Sequence, residues 1–232
     1  MAQLSFEQFE NFFRYYKGLE HQRNGIRKLF EQMRDVLKDD QHDWVQAYRN
    51  PSVQSHGTPL AVPYQSQQDN ASGTGYRECF SSSCAMVAMY YKTVKNDDEY
   101  NTIRARFGDS TSAEAQVRAL RSLGLEANFI SNASAADLSS MLKEGRPIPV
   151  GWLHQGKVDA PTGGGHWSVV IGELADCWLV HDPYGCADLI EGGYVSETGA
   201  GRFYNKSLWT PRWEVEGPGS GWMLDIRDPA KK

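Results

Sequence analysis

The chain has 232 residues, a formal net charge of −5, and 40% hydrophobic against 23% charged residues. This composition is typical of a folded globular protein with a substantial core, and the mixed charges disfavour nucleic-acid binding. No apolar run reaches the ~18 residues that a membrane helix needs, so we expect no stable membrane insertion.

Residues 1–50 are predicted to form a small helical module, in which aromatic and aliphatic residues recur at helical spacing after a capping box at Ser5 and Gln8. The simplest interpretation is that these side chains form the core of the module; cell-wall or partner binding is the alternative. Residues 51–59, PSVQSHGTP, have the composition of a linker. The start of the chain lacks the basic residues and apolar core of a signal peptide, so we expect synthesis in the cytoplasm.

From residue 60 to 232 the pattern indicates a second domain. VPYQSQQ is predicted to be extended, CFSSSCAMVAMYYKTV a buried helix, and TSAE at 111–114 a capping box that opens another helix. A further helix begins at Ser134, and strands dominate from residue 147 onward. Helices followed by antiparallel strands indicate an α+β fold.

Two apolar segments, WSVVIG and CWLVHD, flank a short turn and predict a β-hairpin. With the turn centred on Leu174, His166 lies directly opposite Asp182, and their Cβ atoms are ~5 Å apart. A carboxylate there orients the imidazole and stabilises its protonated form, as in a catalytic triad. A structural hydrogen bond without chemistry is the alternative. Glycines 163–165 would let a substrate backbone approach the imidazole.

Cys79 is the predicted nucleophile, because it stands immediately before a helical run whose first amides and dipole favour a thiolate. Cys84 lies deeper in that helix and fits a buried core residue. A developing oxyanion needs the Cys79 amide and a side-chain amide, and the spacing does not choose among Gln65, Gln67 and Gln68.

The four cysteines form no CxxC pairs, so no metal site is predicted. Cys177 and Cys186 are placed to bridge a hairpin under oxidising conditions, but cytoplasmic synthesis favours reduced thiols. The remaining histidines, among them His154 and His181, are predicted to be ordinary hydrogen-bonding residues.

The ordered segments VPYQSQQDN, ECFSSSCAMV, GRPIPVGW, GGGHWSVVIGE and VHDPYG resemble the papain-like cysteine peptidases of the bacteriocin-processing, double-glycine type, particularly their free-standing bacterial and phage relatives. The resemblance implies a papain-like fold with a helical layer on an antiparallel sheet. It also implies Gln67 as the oxyanion glutamine, Cys79 as nucleophile, His166 as base, Asp182 as orienting carboxylate, and no cofactor. One departure is that Phe80-Ser81 replaces the Gly-Pro of that family.

We therefore expect a cysteine endopeptidase acting on a peptide or peptidoglycan substrate. The favoured reading is a phage-type lysin that cuts peptidoglycan cross-bridges and reaches the cell wall after release or as a virion component. The alternatives are a protein-directed peptidase, deamidase or transamidase, and a catalytically inactive papain-like interaction module.

Overall fold

The computed structural model describes residues 59–174 and 176–230, which all fall within one compact unit of the chain. The predicted helical module at 1–50, and all but the last residue of the predicted linker at 51–59, lie outside the described residues. Among the described residues, no helix is both long and apolar enough to cross a membrane.

The described residues contain five α-helices and eight strands. The helices are α1 (Cys79–Tyr90), α2 (Asp97–Arg104), α3 (Ala113–Ser122), α4 (Ala135–Lys143) and α5 (Lys206–Trp213). The strands are β1 (Glu126–Ala133), β2 (Ile148–Trp152), β3 (His166–Glu173), β4 (Cys177–His181), β5 (Cys186–Ala187), β6 (Tyr194–Ser196), β7 (Arg202–Asn205) and β8 (Gly221–Arg227). Two short 3₁₀ helices, Gln67–Asp69 and Gly75–Arg77, precede α1.

Within residues 59–174 and 176–230, six of the strands form one antiparallel sheet in the order β1-β8-β2-β3-β4-β7, and β5 pairs with β6. Helices cover both faces of this sheet. Val169 and Ile171 of β3 pack in one core with α1 and α3, whereas Val170 packs in a second core with α4 and α5. Burial on both faces explains why β3 is an almost continuous apolar run. The predicted α+β class is confirmed.

The predicted helix starts are confirmed at two places and wrong by one residue at a third. Helix α1 begins at Cys79, and α4 follows Ser134, whose hydroxyl accepts from the amide of Asp137 in a capping box. The N-cap of α3 is Ser112 instead of Thr111. The Thr111 hydroxyl instead donates to Asp109 in the preceding turn.

The predicted hairpin is present, but its predicted register is wrong by two residues at the His166 end and by three next to the turn. Val169 pairs with His181, where a turn centred on Leu174 would pair it with Leu179, and the pairing is irregular between Val170 and Gly172. At the His166 end of the hairpin, the shift of two residues leaves the side chains on their predicted faces. Asp182, just beyond the end of β4, is therefore a diagonal neighbour of His166 and not its direct partner across the hairpin.

A buried arginine ties together two loops next to the hairpin. Arg212 of α5 is fully buried, and its guanidinium donates to backbone carbonyl oxygens in 153–156 and 189–190 at distances of 2.7 to 3.5 Å. Because carbonyl groups removed from water need donors, this side chain fixes the path of both loops.

We expect Arg212→Met to lower the free energy of unfolding by about 3 kcal/mol, since one buried and four partly buried hydrogen bonds to carbonyl groups are lost. Urea denaturation measures this change. The matched control is Arg118→Met, which removes an exposed arginine that pairs with Glu114 at 4.0 Å and should change stability by no more than about 0.5 kcal/mol. Equal stability of the two variants would contradict the assignment.

Candidate active site

Cys79 is the first residue of α1 and is partly exposed. The residue before it, Glu78, is buried, and its carboxylate accepts hydrogen bonds from Asn70 Nδ2 at 2.7 Å, Ser72 Oγ at 2.8 Å and Thr74 Oγ1 at 3.0 Å. Three donors on one buried carboxylate hold the loop that leads into the helix. The backbone at the start of α1, where Cys79 lies, is therefore held in place.

His166 and Asp182 form a buried pair beside this helix. Nε2 of His166 lies 2.7 Å from Oδ1 of Asp182, and the two residues are 3% and 0% exposed. The Asp182 carboxylate also accepts from the amides of Tyr184 and Gly185 and, through Oδ2, from the hydroxyl of Tyr204 at 2.8 Å. These donors hold the carboxylate in one orientation toward the imidazole.

The charge state of His166 is set by two opposing effects. Burial lowers its pKa, but the charge and hydrogen bond of Asp182, together with a side-chain hydrogen bond to Cys79, raise the pKa to about 10. The imidazole is therefore protonated near neutral pH. Because Nε2 is used by Asp182, Nδ1 is the ring nitrogen left for Cys79. The structure thus brings the predicted nucleophile, base and carboxylate together.

The three candidate oxyanion glutamines occupy different environments. Gln67 is 1% exposed, and its Nε2 donates to the carbonyl of Gly75 at 2.7 Å. Its backbone amide donates to Pro183, the residue after the Asp182 carboxylate. Gln65 uses its amide group within its own segment and toward α2, and Gln68 is exposed and donates to the backbone of Tyr184. Only Gln67, of the three, is buried.

Aromatic rings surround the His166 imidazole. The rings of Trp152, His154, Tyr184 and Tyr194 have centroids between 5.3 and 6.4 Å from that of His166. Burial, followed by the charge of His166, lowers the pKa of His154 to about 4, so this second imidazole is neutral. The rings keep water away from the His166–Asp182 pair, which strengthens their electrostatic interaction.

Two other residues have structural roles, as predicted. The amide of Gly201 donates to Nδ1 of His181, so Nε2 of His181 carries the proton and donates to the carbonyl of Val62 at 2.9 Å. Cys84 is fully buried in the core, where burial raises the pKa of its thiol.

Several residues that support the site are absent from the sequence-predicted set. The amide donors of Tyr184 and Gly185 follow Asp182 within three residues, and the tendency of aspartate to bond amides two residues on is a signal that points to them. Glu78 and Tyr204 carry no such local signal. In the part of the chain that the structure describes, no group of three or more His, Cys, Asp or Glu side chains is placed to hold a metal ion.

A helix that begins at a cysteine and packs on an antiparallel sheet bearing a histidine–carboxylate pair is characteristic of papain-like cysteine peptidases. The family model for the papain-like cysteine protease AvrRpt2 matches residues 56–188. This match covers more than half of the chain, and the chain belongs to that family. The papain-like cysteine peptidase class implied by the sequence resemblance is confirmed. A comparison with curated proteins finds no match.

Solved structures with a similar chain path include three peptidases. A double glycine motif protease from an AMS/PCAT transporter, solved with its leader peptide, shares 20% identity over 75% of this chain and 98% of its own, with a TM-score of 0.46. The peptidase domain of Streptococcus ComA, a bifunctional ABC transporter, is 18% identical over 65% of this chain and 91% of its own, with a TM-score of 0.43. A C39-like peptidase from Bacillus anthracis is 14% identical over 72% of this chain and 96% of its own, with a TM-score of 0.46.

The raised pKa of His166 predicts a pH-dependent contribution to stability. The folded pKa of about 10 exceeds the ordinary value of 6.5, so the stabilisation is complete below about pH 6.5 and is lost as the pH rises through the folded value. We expect the difference in free energy of unfolding between wild type and His166→Gln to shrink from about pH 6 to about pH 9.5 in urea titrations.

The control for this experiment is His181→Gln. Burial lowers the pKa of His181 from its ordinary value of 6.5, so between about pH 7.5 and about pH 9.5 its stability difference from wild type should stay constant. A constant difference for His166→Gln as well would show that the His166 ring is not protonated in the folded protein.

Proposed function

We propose that this chain is a cysteine endopeptidase that hydrolyses amide bonds, with Cys79 as nucleophile, His166 as acid and base, and Asp182 as the carboxylate that orients the imidazole. The main support is the buried 2.7 Å contact between His166 and Asp182, together with an interaction of the Cys79 side chain with the same imidazole, which helps to raise the pKa of His166. The imidazole of His166 thus interacts with both the Cys79 thiol and the Asp182 carboxylate, the arrangement that activation of a nucleophile requires.

The proposed reaction begins with attack of the Cys79 thiolate on the substrate carbonyl carbon. The protonated His166 then donates its proton to the leaving amine as the C–N bond breaks, which leaves a thioester on Cys79. A water molecule, deprotonated by the neutral His166, hydrolyses the thioester and releases the acid. Asp182 stays hydrogen-bonded to Nε2 throughout, and no cofactor takes part.

The oxyanion is proposed to bind the backbone amide of Cys79 and the side chain of Gln67. The Gln67 amide group donates one hydrogen to Gly75, and its second N–H remains for a substrate oxygen. A side chain at position 75 would collide with the carbonyl of Gln67, so the glycine lets the two segments approach closely. This arrangement supports Gln67 over Gln65 and Gln68.

We expect Gln67→Ala to lower kcat by about 100-fold with a smaller change in KM, because the donor acts mainly on the charge that develops in the transition state. Gln68→Ala is the matched control and should retain nearly full activity. Loss of activity in Gln65→Ala with wild-type activity in Gln67→Ala would reassign the oxyanion donor.

For the substrate, we propose the peptide cross-bridges of peptidoglycan, cut by a lysin of phage type. The support comes from space around His166: aromatic rings enclose one side, whereas the glycine run 163–165 precedes it and leaves open space at Gly164 and Gly165. Open space beside a glycine run admits a backbone with small side chains, which suits peptides of alanine and glycine. The resemblance to double-glycine peptidases implies the same preference.

We expect the purified chain to release new free amines from peptidoglycan, detected by mass spectrometry, and Cys79→Ala to release none under the same conditions. Cleavage of proteins without any release from sacculi would favour the protein-directed alternative. Conversion of side-chain amides to acids without chain cleavage would indicate a deamidase. A Cys79 thiol that reacts with iodoacetamide no faster than free cysteine, with no product from any substrate, would favour the inactive module.

A further inference from the structure

Phe80 and Trp167 form a parallel aromatic stack between α1 and β3. Their ring centroids are 3.5 Å apart and their planes differ by 4°. Phe80 is 2% exposed and Trp167 is 8% exposed. Flat side chains in full face-to-face contact within a packed core cannot slide or tilt without losing that contact. The stack therefore fixes the start of α1 against the start of β3.

Each ring belongs to the residue that directly follows a member of the proposed reacting pair. Phe80 follows Cys79 at the start of α1, and Trp167 follows His166 at the start of β3. One peptide unit therefore connects the stack to the thiol-bearing residue on one side and to the imidazole-bearing residue on the other. A shift of either ring along the stack is transmitted directly to the backbone of its neighbour.

The neighbouring strand is shaped to admit the indole. Gly151 of β2 pairs directly with Trp167, and a Cβ atom at position 151 would lie 2.9 Å from two carbon atoms of the indole. A distance this short forces the ring to move, because a carbon atom in the rigid strand cannot give way. The position of the indole thus depends on the absence of a side chain at Gly151.

We propose that the Phe80–Trp167 stack is a positioning device that sets the separation between the Cys79 sulfur and the His166 imidazole. The inference rests on the proposed function of that pair. It also gives a role to Phe80, the residue at which this chain departs from the Gly-Pro of the family that it resembles. A displacement of about 1 Å at a reacting pair can cost about 100-fold in rate, so a rigid link between the two backbones has a measurable effect.

The test compares variants by two readouts: the rate at which Cys79 reacts with iodoacetamide near neutral pH, corrected for the folded fraction, and the kcat and KM for peptide hydrolysis. Phe80→Leu and Trp167→Leu should each lower the alkylation rate and kcat by about 10-fold or more, with little change in KM. Trp167→Phe keeps an aromatic ring and should recover most of the rate. The double variant should be little worse than either single variant, since both remove the same contact.

Two further variants separate positioning from stability. Gly151→Ala retains both rings and displaces the indole, and it should also lower the alkylation rate. Leu120→Ala removes a fully buried side chain of α3 from the same core, and it should lower the melting temperature while leaving the alkylation rate of the folded protein unchanged.

The outcomes distinguish this inference from the proposed function. A wild-type Cys79 that reacts no faster than free cysteine overturns both. A fast wild-type Cys79, together with equally fast Phe80→Leu, Trp167→Leu and Gly151→Ala proteins, overturns the positioning role alone. The same loss of rate in Leu120→Ala as in the stack variants also overturns it, because the effect would then follow general stability.

Discussion

The enclosure of one carboxylate, that of Asp182, is the constraint on which the rest of the site depends. A carboxylate removed from water must be matched by donors or by a positive charge, and Asp182 is matched by the His166 ring, the Tyr184 amide and the Tyr204 hydroxyl. These groups come from β3, the turn after β4, and β7. The same interaction therefore joins three parts of the fold and holds the imidazole in its protonated form beside Cys79.

The protonated imidazole of His166 is the feature of the fold on which the proposed reaction depends. In the proposed reaction the attacking group is a thiolate, which a neighbouring positive charge favours, and the protonated ring of His166 is the proposed source of that charge. The helix start at Cys79 is fixed by the hydrogen bonds of Glu78 and by the stack of Phe80 on Trp167. The acid on one side of the ring and the thiol on the other are thus held by separate sets of contacts.

Local signals account for the parts of this structure that the sequence predicted. The helix start after Ser134 follows from a capping box, and the hairpin follows from two apolar segments around a short turn; both signals act over a few residues. The hairpin register was wrong because the irregularity between Val170 and Gly172 has no marker in an apolar run. Strand β1 was not predicted because only its two alanines are buried and because its partner β8 lies about a hundred residues further along the chain. The hydrogen bond from Tyr204 to Asp182 was not predicted either, because it joins residues from different strands.

Nitrogen-15 NMR of the His166 side chain at about pH 7.5 measures whether Asp182 holds the imidazole in its protonated form. We expect protons on both ring nitrogens in the wild-type protein and a neutral ring in Asp182→Asn, since the pKa of His166 is raised by this carboxylate. A neutral His166 ring in the wild-type protein at that pH would show that Asp182 does not hold the imidazole in its protonated form.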